Sequence, residues 1–318
     1  MNHRNLLVVL IAILLVSTFG QNDLTKIRLA VHWLPQAQFA GYYSGIENGI
    51  YEKYGFDVEI IHSSPNVTAQ ELLLDEKADF ASMFLTTAIS LRSNNEPLIN
   101  VCQLSQRSAQ VLVTRDTTIT EPEDLNGKKI GVWRSGFDEV LKSFVDKYNL
   151  DVEYVLISST INLFLFGGID VMITMWYNEY HSIINAGINK DELNTFFFAD
   201  YGFDIPEDGI YTVENKFGKE TITKFVNATL EAWDYAFAHK DEAIKLVERE
   251  MKAKNMAFNK PHQKWMLDRL DDLFNPSDEE NKPGVLSQKD FDAAYEVLSF
   301  HEKINTEVSY EEFYYVFE

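Results

Sequence analysis

The side chains able to do chemistry in this 318-residue chain include seven histidines, one cysteine and 49 acidic residues, and their spacing builds no common reaction centre. There is no G-x-S-x-G elbow, H-E-x-x-H helix or C-x-x-C pair. Gly127-Lys128 has Pro122 where a phosphate loop needs its first glycine. The histidines stand at no metal-ligand spacing from one another or from Cys102, which sits in the apolar run Asn100–Leu104 as a small hydrophobe would. No catalytic residue, metal or cofactor is therefore expected.

What the sequence offers instead is rings at the ends of apolar runs. Trp33, Trp133, Trp176 and Tyr177 close such runs, and Phe39 and Tyr42 begin a helix-like stretch just after the first. Rings on facing walls of a cleft would sandwich a flat heterocycle, each stack adding about 0.5–1.5 kcal/mol beyond area burial. About half of these rings are expected in the core instead. Among polar partners, Gln38 lies between two of the rings, and Asn178-Glu179 stands where a strand turns into a helix. Glu179 could accept hydrogen bonds from a ring amine, or simply be stabilised by the helix dipole. Ser135 and Gly136, after Trp133 and Arg134, could offer free amides to an anionic group. Phe84 ends the segment Ser82-Met83-Phe84 on the same side, and His32 is the one histidine at a strand end that should face a cleft, although a structural hydrogen bond suits it equally.

These residues must be positioned by an α/β chain. Residues 1–20, with Arg4, the apolar run Leu6–Val16 and small Thr18 and Gly20 before a cut at Gln21, read as a secretory signal peptide. The run is shorter than the roughly 20 residues a bilayer core requires. Export to the periplasm is expected, and losing Arg4 takes the formal charge from −21 to −22. Such acidity argues against nucleic acid and anionic membrane surfaces as partners. Beyond residue 20, Ile27–Trp33, Asp57–His62, Asp79–Phe84 and Leu98–Leu104 read as strands. Between them, Gln38–Asn48 and Thr68–Glu76 read as helices, the second opened by the capping box Thr68-Ala69-Gln70-Glu71. A second unit starts after Thr114, with a further capping box at Thr120-Glu121-Pro122-Glu123 and strands at Lys128–Trp133, Val152–Ser158 and Ile169–Trp176. From Phe217 the chain is almost entirely helical. Two α/β units with chain crossings near Thr114 and Asp208 predict a discontinuous lobe, 21–114 plus 209–318, and an inserted lobe, 115–208. The default ligand site is the cleft at the carboxyl ends of their strands.

Three segments carry a resemblance. They are His32-Trp33-Leu34-Pro35-Gln36-Ala37-Gln38-Phe39-Ala40-Gly41-Tyr42-Tyr43, then Glu123–Trp133, and then Gly167-Gly168-Ile169-Asp170-Val171-Met172-Ile173-Thr174-Met175-Trp176-Tyr177-Asn178-Glu179. Together they resemble the periplasmic binding proteins for thiamine-pyrimidine precursors, a family that includes related fungal pyrimidine synthases. The resemblance implies a two-lobed type II periplasmic binding protein fold, with mostly parallel sheets flanked by helices and the ligand cleft between the lobes. It implies a small planar ligand, a membrane ABC permease as receiving partner, and an Asn178-Glu179 pair beside the ligand. The synthases use a cysteine-rich iron motif, which a chain whose one cysteine is Cys102 cannot form. Alternatives kept open are riboflavin, sulfonate or taurine as ligand, presentation to a membrane sensor instead of an importer, and a pyrimidine-processing enzyme using His32 or Glu179.

Overall fold

The computed structural model describes residues 24–64, 66–133, 138–158, 160–277 and 282–316, so the signal segment expected at 1–20 lies outside the described residues. Ten strands follow in chain order: β1 (Thr25–Val31), β2 (Phe56–His62), β3 (Phe80–Phe84), β4 (Leu98–Gln103), β5 (Gln110–Thr114), β6 (Lys129–Trp133), β7 (Glu153–Ile157), β8 (Val171–Met175), β9 (Asn194–Phe197) and β10 (Asp208–Val213). They form two five-stranded sheets, ordered β2-β1-β3-β10-β4 and β7-β6-β8-β5-β9. Strands β4, β5 and β8 are buried along their whole length, which is why they read as continuous apolar runs and not as alternating ones.

Two expectations need correction. The sequence division at residue 114 left Val111–Thr114 in the first lobe. Instead β5 pairs antiparallel with β8, from Gln110↔Met175 to Thr114↔Val171, and with β9, from Val111↔Phe197 to Thr114↔Asn194. The first crossing therefore precedes Gln110; a fully apolar strand carries no mark of which sheet it will join. The sheets are also mixed, because β10 and β5 each run antiparallel to both neighbours, while β1–β2, β1–β3, β6–β7 and β6–β8 are parallel. In each lobe the antiparallel strand is the one adjoining a crossing. It enters the sheet from the opposite end.

Local signals set the helices. The Thr68–Glu71 capping box forms as expected and opens the helix Ala69–Leu74. The second box is displaced by one residue: Glu121 and Asp124 make it, around the 3-10 turn Pro122–Leu125. Proline fits the first helical position, which needs no N–H, so the residue before it becomes the cap. After β1 the chain makes a 3-10 turn, Ala37–Phe39, and then the helix Ala40–Glu47. That helix lies on the long helix Lys219–Ala238 so closely that a Cβ on Gly41 would stand 2.2 Å from the Trp233 ring. Tyr42 meets the same indole edge-on at 5.6 Å, while Phe225 of the long helix stacks on Phe80 of β3 at 4.0 Å. The helix pair is thereby pinned to the first sheet, and the segment after β1 has one place to sit.

Gly41→Ala should therefore lower stability by about 1–3 kcal/mol or more, as overpacking of a filled interface does. Urea unfolding followed by circular dichroism measures it, and an unchanged midpoint would mean that Trp233 moves aside freely.

Candidate functional site

Two chain segments connect the lobes, and side chains lace them together. Glu207, just before β10, accepts from the Ala109 N–H at 3.0 and 3.2 Å and from the Ser108 hydroxyl at 2.8 Å. Asp204 accepts from the Ser108 N–H at 2.8 Å and pairs with Arg107 at 2.6 Å. The Asp208 carbonyl takes the N–H groups of Leu104 and Ser105, and its own N–H goes to Ser105 Oγ at 2.7 Å. Burial, together with the nearby Asp208 and Asp204 charges and against its own hydrogen bonds, raises the Glu207 carboxyl to about 8. It is held as an acid at neutral pH.

Directly inside this hinge, the carboxyl ends of β1 and β3 supply a buried polar cluster. His32 follows β1, and its Nδ1 is 2.7 Å from Ser82 Oγ, which also accepts the His32 N–H at 3.2 Å. Gln38, in the 3-10 turn, has its Nε2 3.0 Å from His32 Nε2, and donates to Asp208 Oδ2 and to the Tyr177 hydroxyl, both at 2.9 Å. Tyr177 follows β8 of the second lobe, so Gln38 bridges the lobes. Gln36 fixes the amide by donating to Gln38 Oε1 at 2.6 Å. Burial outweighs the Asp208 charge and lowers the His32 pKa, which leaves the ring neutral at pH 7. Phe39 and Phe84 close on that ring edge-on, at 5.5 and 5.3 Å.

A second seam runs beside the first, where the helix Lys260–Phe274 of the first lobe meets the helix Glu179–Asn185 of the second. His262 Nδ1 is 3.0 Å from His181 Nδ1, and His262 Nε2 is 3.2 Å from Asn178 Oδ1. Asn178 in turn donates to Glu179 Oε1, and the Met175 N–H donates to Glu179 Oε2, each at 2.9 Å. Burial, reinforced by the neighbouring His181, pushes His262 down to about 4. With the His262 ring neutral, its Nε2 donates to Asn178 Oδ1, which can only accept, and Asn178 donates on to the Glu179 carboxyl group, whose pKa burial raises. Arg269 lies over Trp176 and Trp265 at 4.8 Å from each, and Trp265 Nε1 donates to the Trp176 carbonyl at 3.0 Å.

Of the side chains singled out in the sequence, Gln38, Phe84 and Tyr177 meet at the cluster, and Trp176, Asn178 and Glu179 meet at the second seam. Phe39 and Tyr42 are about 1% exposed. Tyr42 belongs to the first-lobe core, turned onto Trp233, while Phe39 packs between Tyr42, His62 and the cluster's His32, so neither forms an open ring wall. Trp133 is part-buried and its indole N–H is taken by the Ile173 carbonyl at 3.1 Å. Trp33, at 51% exposure, is the ring left open beside the cluster, with its carbonyl accepting from His62 Nδ1 at 2.8 Å. Ser135 and Gly136 lie outside the described residues. The sequence reasoning missed Asp208, Glu207 and His262. An acidic pair opening a fully apolar strand at a chain crossing was the available signal for the first two; nothing local marks His262.

The paired mixed sheets, the double crossing and the polar floor between them define a two-lobed α/β protein of the type II periplasmic binding protein fold. The periplasmic aliphatic sulphonate binding protein SsuA of Escherichia coli superposes with a TM-score of 0.69, 92% of each chain covered and 13% identity. Residues 36–243 match the family described as NMT1/THI5 like, and the chain belongs to that family. A protein of Haemophilus influenzae named for thiamine biosynthesis is 26% identical over 225 residues, 69% of this chain and 71% of the relative. A formylaminopyrimidine-binding protein of Halalkalibacterium halodurans is 22% identical over 259 residues, 75% of this chain and 76% of the relative.

The raised carboxyl of Glu207 sets a pH signature. Between an unfolded value near 4.5 and the folded value of about 8, the native state holds a proton that the unfolded chain has released. Stability should fall as pH rises through that window, by at most about 1.4 kcal/mol per pH unit. In Glu207→Gln this component should vanish, so that the variant gains on the parent chain as pH rises from 5 to 8. Thermal unfolding across that range checks it.

Proposed function

We propose that this protein is an exported solute-binding protein whose lobes close on a small planar heterocycle of the thiamine-pyrimidine precursor class and deliver it to a membrane ABC importer. The observation that carries the reading is the bridge from Gln38 to Tyr177 and Asp208. It joins two of the segments that resemble the family, from opposite lobes, at the strand ends where ligands of α/β folds bind. Family membership supports it, as does the name of the formylaminopyrimidine-binding relative. Export follows from the signal-like segment at 1–20, and release of the ligand unchanged is supported by the binding-protein name of the Halalkalibacterium halodurans relative. Within this reading the lobes are 21–109 with 208–318, and 110–207, and the hinge is the lacing of Ser108 and Ala109 by Asp204 and Glu207.

Ligand contacts are assigned to Gln38, Tyr177, Phe84 and the open ring of Trp33, with Trp176, Asn178 and Glu179 transmitting closure through the second seam. A sulphonate ligand is the second reading, favoured by the fold of the E. coli neighbour. A bare anion would meet the Asp208 carboxylate at the cluster floor, which tells against it.

A thermal-shift panel on residues 21–318 separates the two, using an aminopyrimidine precursor, riboflavin, taurine, alkanesulfonates and nitrate. A ligand at 100 times its dissociation constant stabilises by about 2.7 kcal/mol, a shift of several degrees. A shift with the pyrimidine alone is expected; a shift only with sulfonates or taurine would replace the ligand assignment. By calorimetry, Trp33→Ala should weaken the pyrimidine at least about tenfold, the loss of about 1.4 kcal/mol, while leaving the unfolding midpoint of the free protein in place.

A further inference from the structure

The cluster between the lobes is short of hydrogen-bond donors. Gln38 has two amide hydrogens and three acceptors around its Nε2: His32 Nε2 at 3.0 Å, and the Tyr177 hydroxyl and Asp208 Oδ2 at 2.9 Å each. His32 does not make up the difference. Its Nδ1 faces Ser82 Oγ at 2.7 Å and its Nε2 faces the amide nitrogen of Gln38. Its Nε2 stands 3.4 Å from Asp208 Oδ1 and makes no hydrogen bond to it. Among the described residues Asp208 Oδ1 has no hydrogen-bond partner, and it is buried on a residue only 5% exposed. A buried carboxylate oxygen left unpaired is costly, and such groups are nearly always matched in a working protein.

We infer that Asp208 is the residue that selects the ligand, accepting an N–H from an exocyclic amino group on the heterocycle, with His32 and Gln38 positioning its carboxylate. The inference rests on the pyrimidine reading above and narrows it to amino-substituted rings. It also gives the selectivity a direction. A ligand with hydrogen in place of the amino group leaves Oδ1 unpaired and is rejected, whereas an added methyl group elsewhere would change little. Because Gln38 already donates to Oδ2, an asparagine at 208 must turn its carbonyl toward Gln38. Its NH₂ then faces the incoming amino group, donor against donor.

The test is calorimetric titration of residues 21–318 and of the Asp208→Asn variant. The two probes are 4-amino-5-hydroxymethyl-2-methylpyrimidine and the same ring with hydrogen at position 4. The parent protein should prefer the amino compound by about 100-fold. In Asp208→Asn that preference should shrink to about threefold or less through loss of the amino compound, with affinity for its counterpart kept. If the parent binds neither pyrimidine, the functional reading falls and this inference with it. If the parent binds both within about threefold of each other, or if a folded Asp208→Asn loses both equally, this inference alone is overturned. Should the variant fail to fold, the parent's own ratio decides.

Discussion

The two crossings between lobes are short, and one carboxyl side chain binds them to each other. Glu207 closes on the N–H of Ala109 and the hydroxyl of Ser108, so the segments that leave and re-enter the first sheet move as one strap. Two laced connections restrict what they join more than a single one would. The register of everything between the lobes follows from that restriction. Gln38 reaches Tyr177, and His262 reaches His181, because the strap permits few other alignments. It also sits beside Asp208, whose main chain is part of the strap and whose side chain is part of the cluster. The connection between the lobes and the polar cluster thus share a residue.

Global charge and local charge do separate work in this chain. The formal charge of −21 sets a long-range field that repels other anions. The polar character of the cluster between the lobes is set instead by a few groups: a neutral imidazole, two amides, a phenol and one carboxylate. The histidines at the second seam are also kept uncharged by burial. Closing the lobes therefore buries few formal charges, which avoids the desolvation cost that paired ions would impose.

Much of the architecture was legible because it is written in local chemistry. The period of the strands, the Thr68–Glu71 box and the turn into Glu179 all depend on residues within four positions of one another. What failed depends on partners far away in sequence. Val111–Thr114 is apolar on both faces and would fit either sheet, so only its pairing with β8 and β9 assigns it. Phe39 and Tyr42 begin a helix that is aromatic around much of its circumference; which side is core was settled by Trp233, nearly 200 residues later. Trp33 and Gln38 were singled out because they fall at a strand end and in the turn after it. Asp208 was missed because an acidic residue before a strand is ordinary until its burial is known.

The insertion of β10 between β3 and β4 bears on the order in which the chain can be assembled. All five strands of the second sheet come from residues 110–197, so that sheet can be completed from one continuous stretch. The first sheet cannot. Among the ten strands β4 pairs with β10 alone, and β10 is synthesised only after the whole second sheet; the bridges of β4 to Gly284 and Tyr314 come later still. Until then β2-β1-β3 and β4 remain separate pieces with exposed edges, and contacts this distant in sequence form slowly. The lobe that begins the protein is the last to be finished.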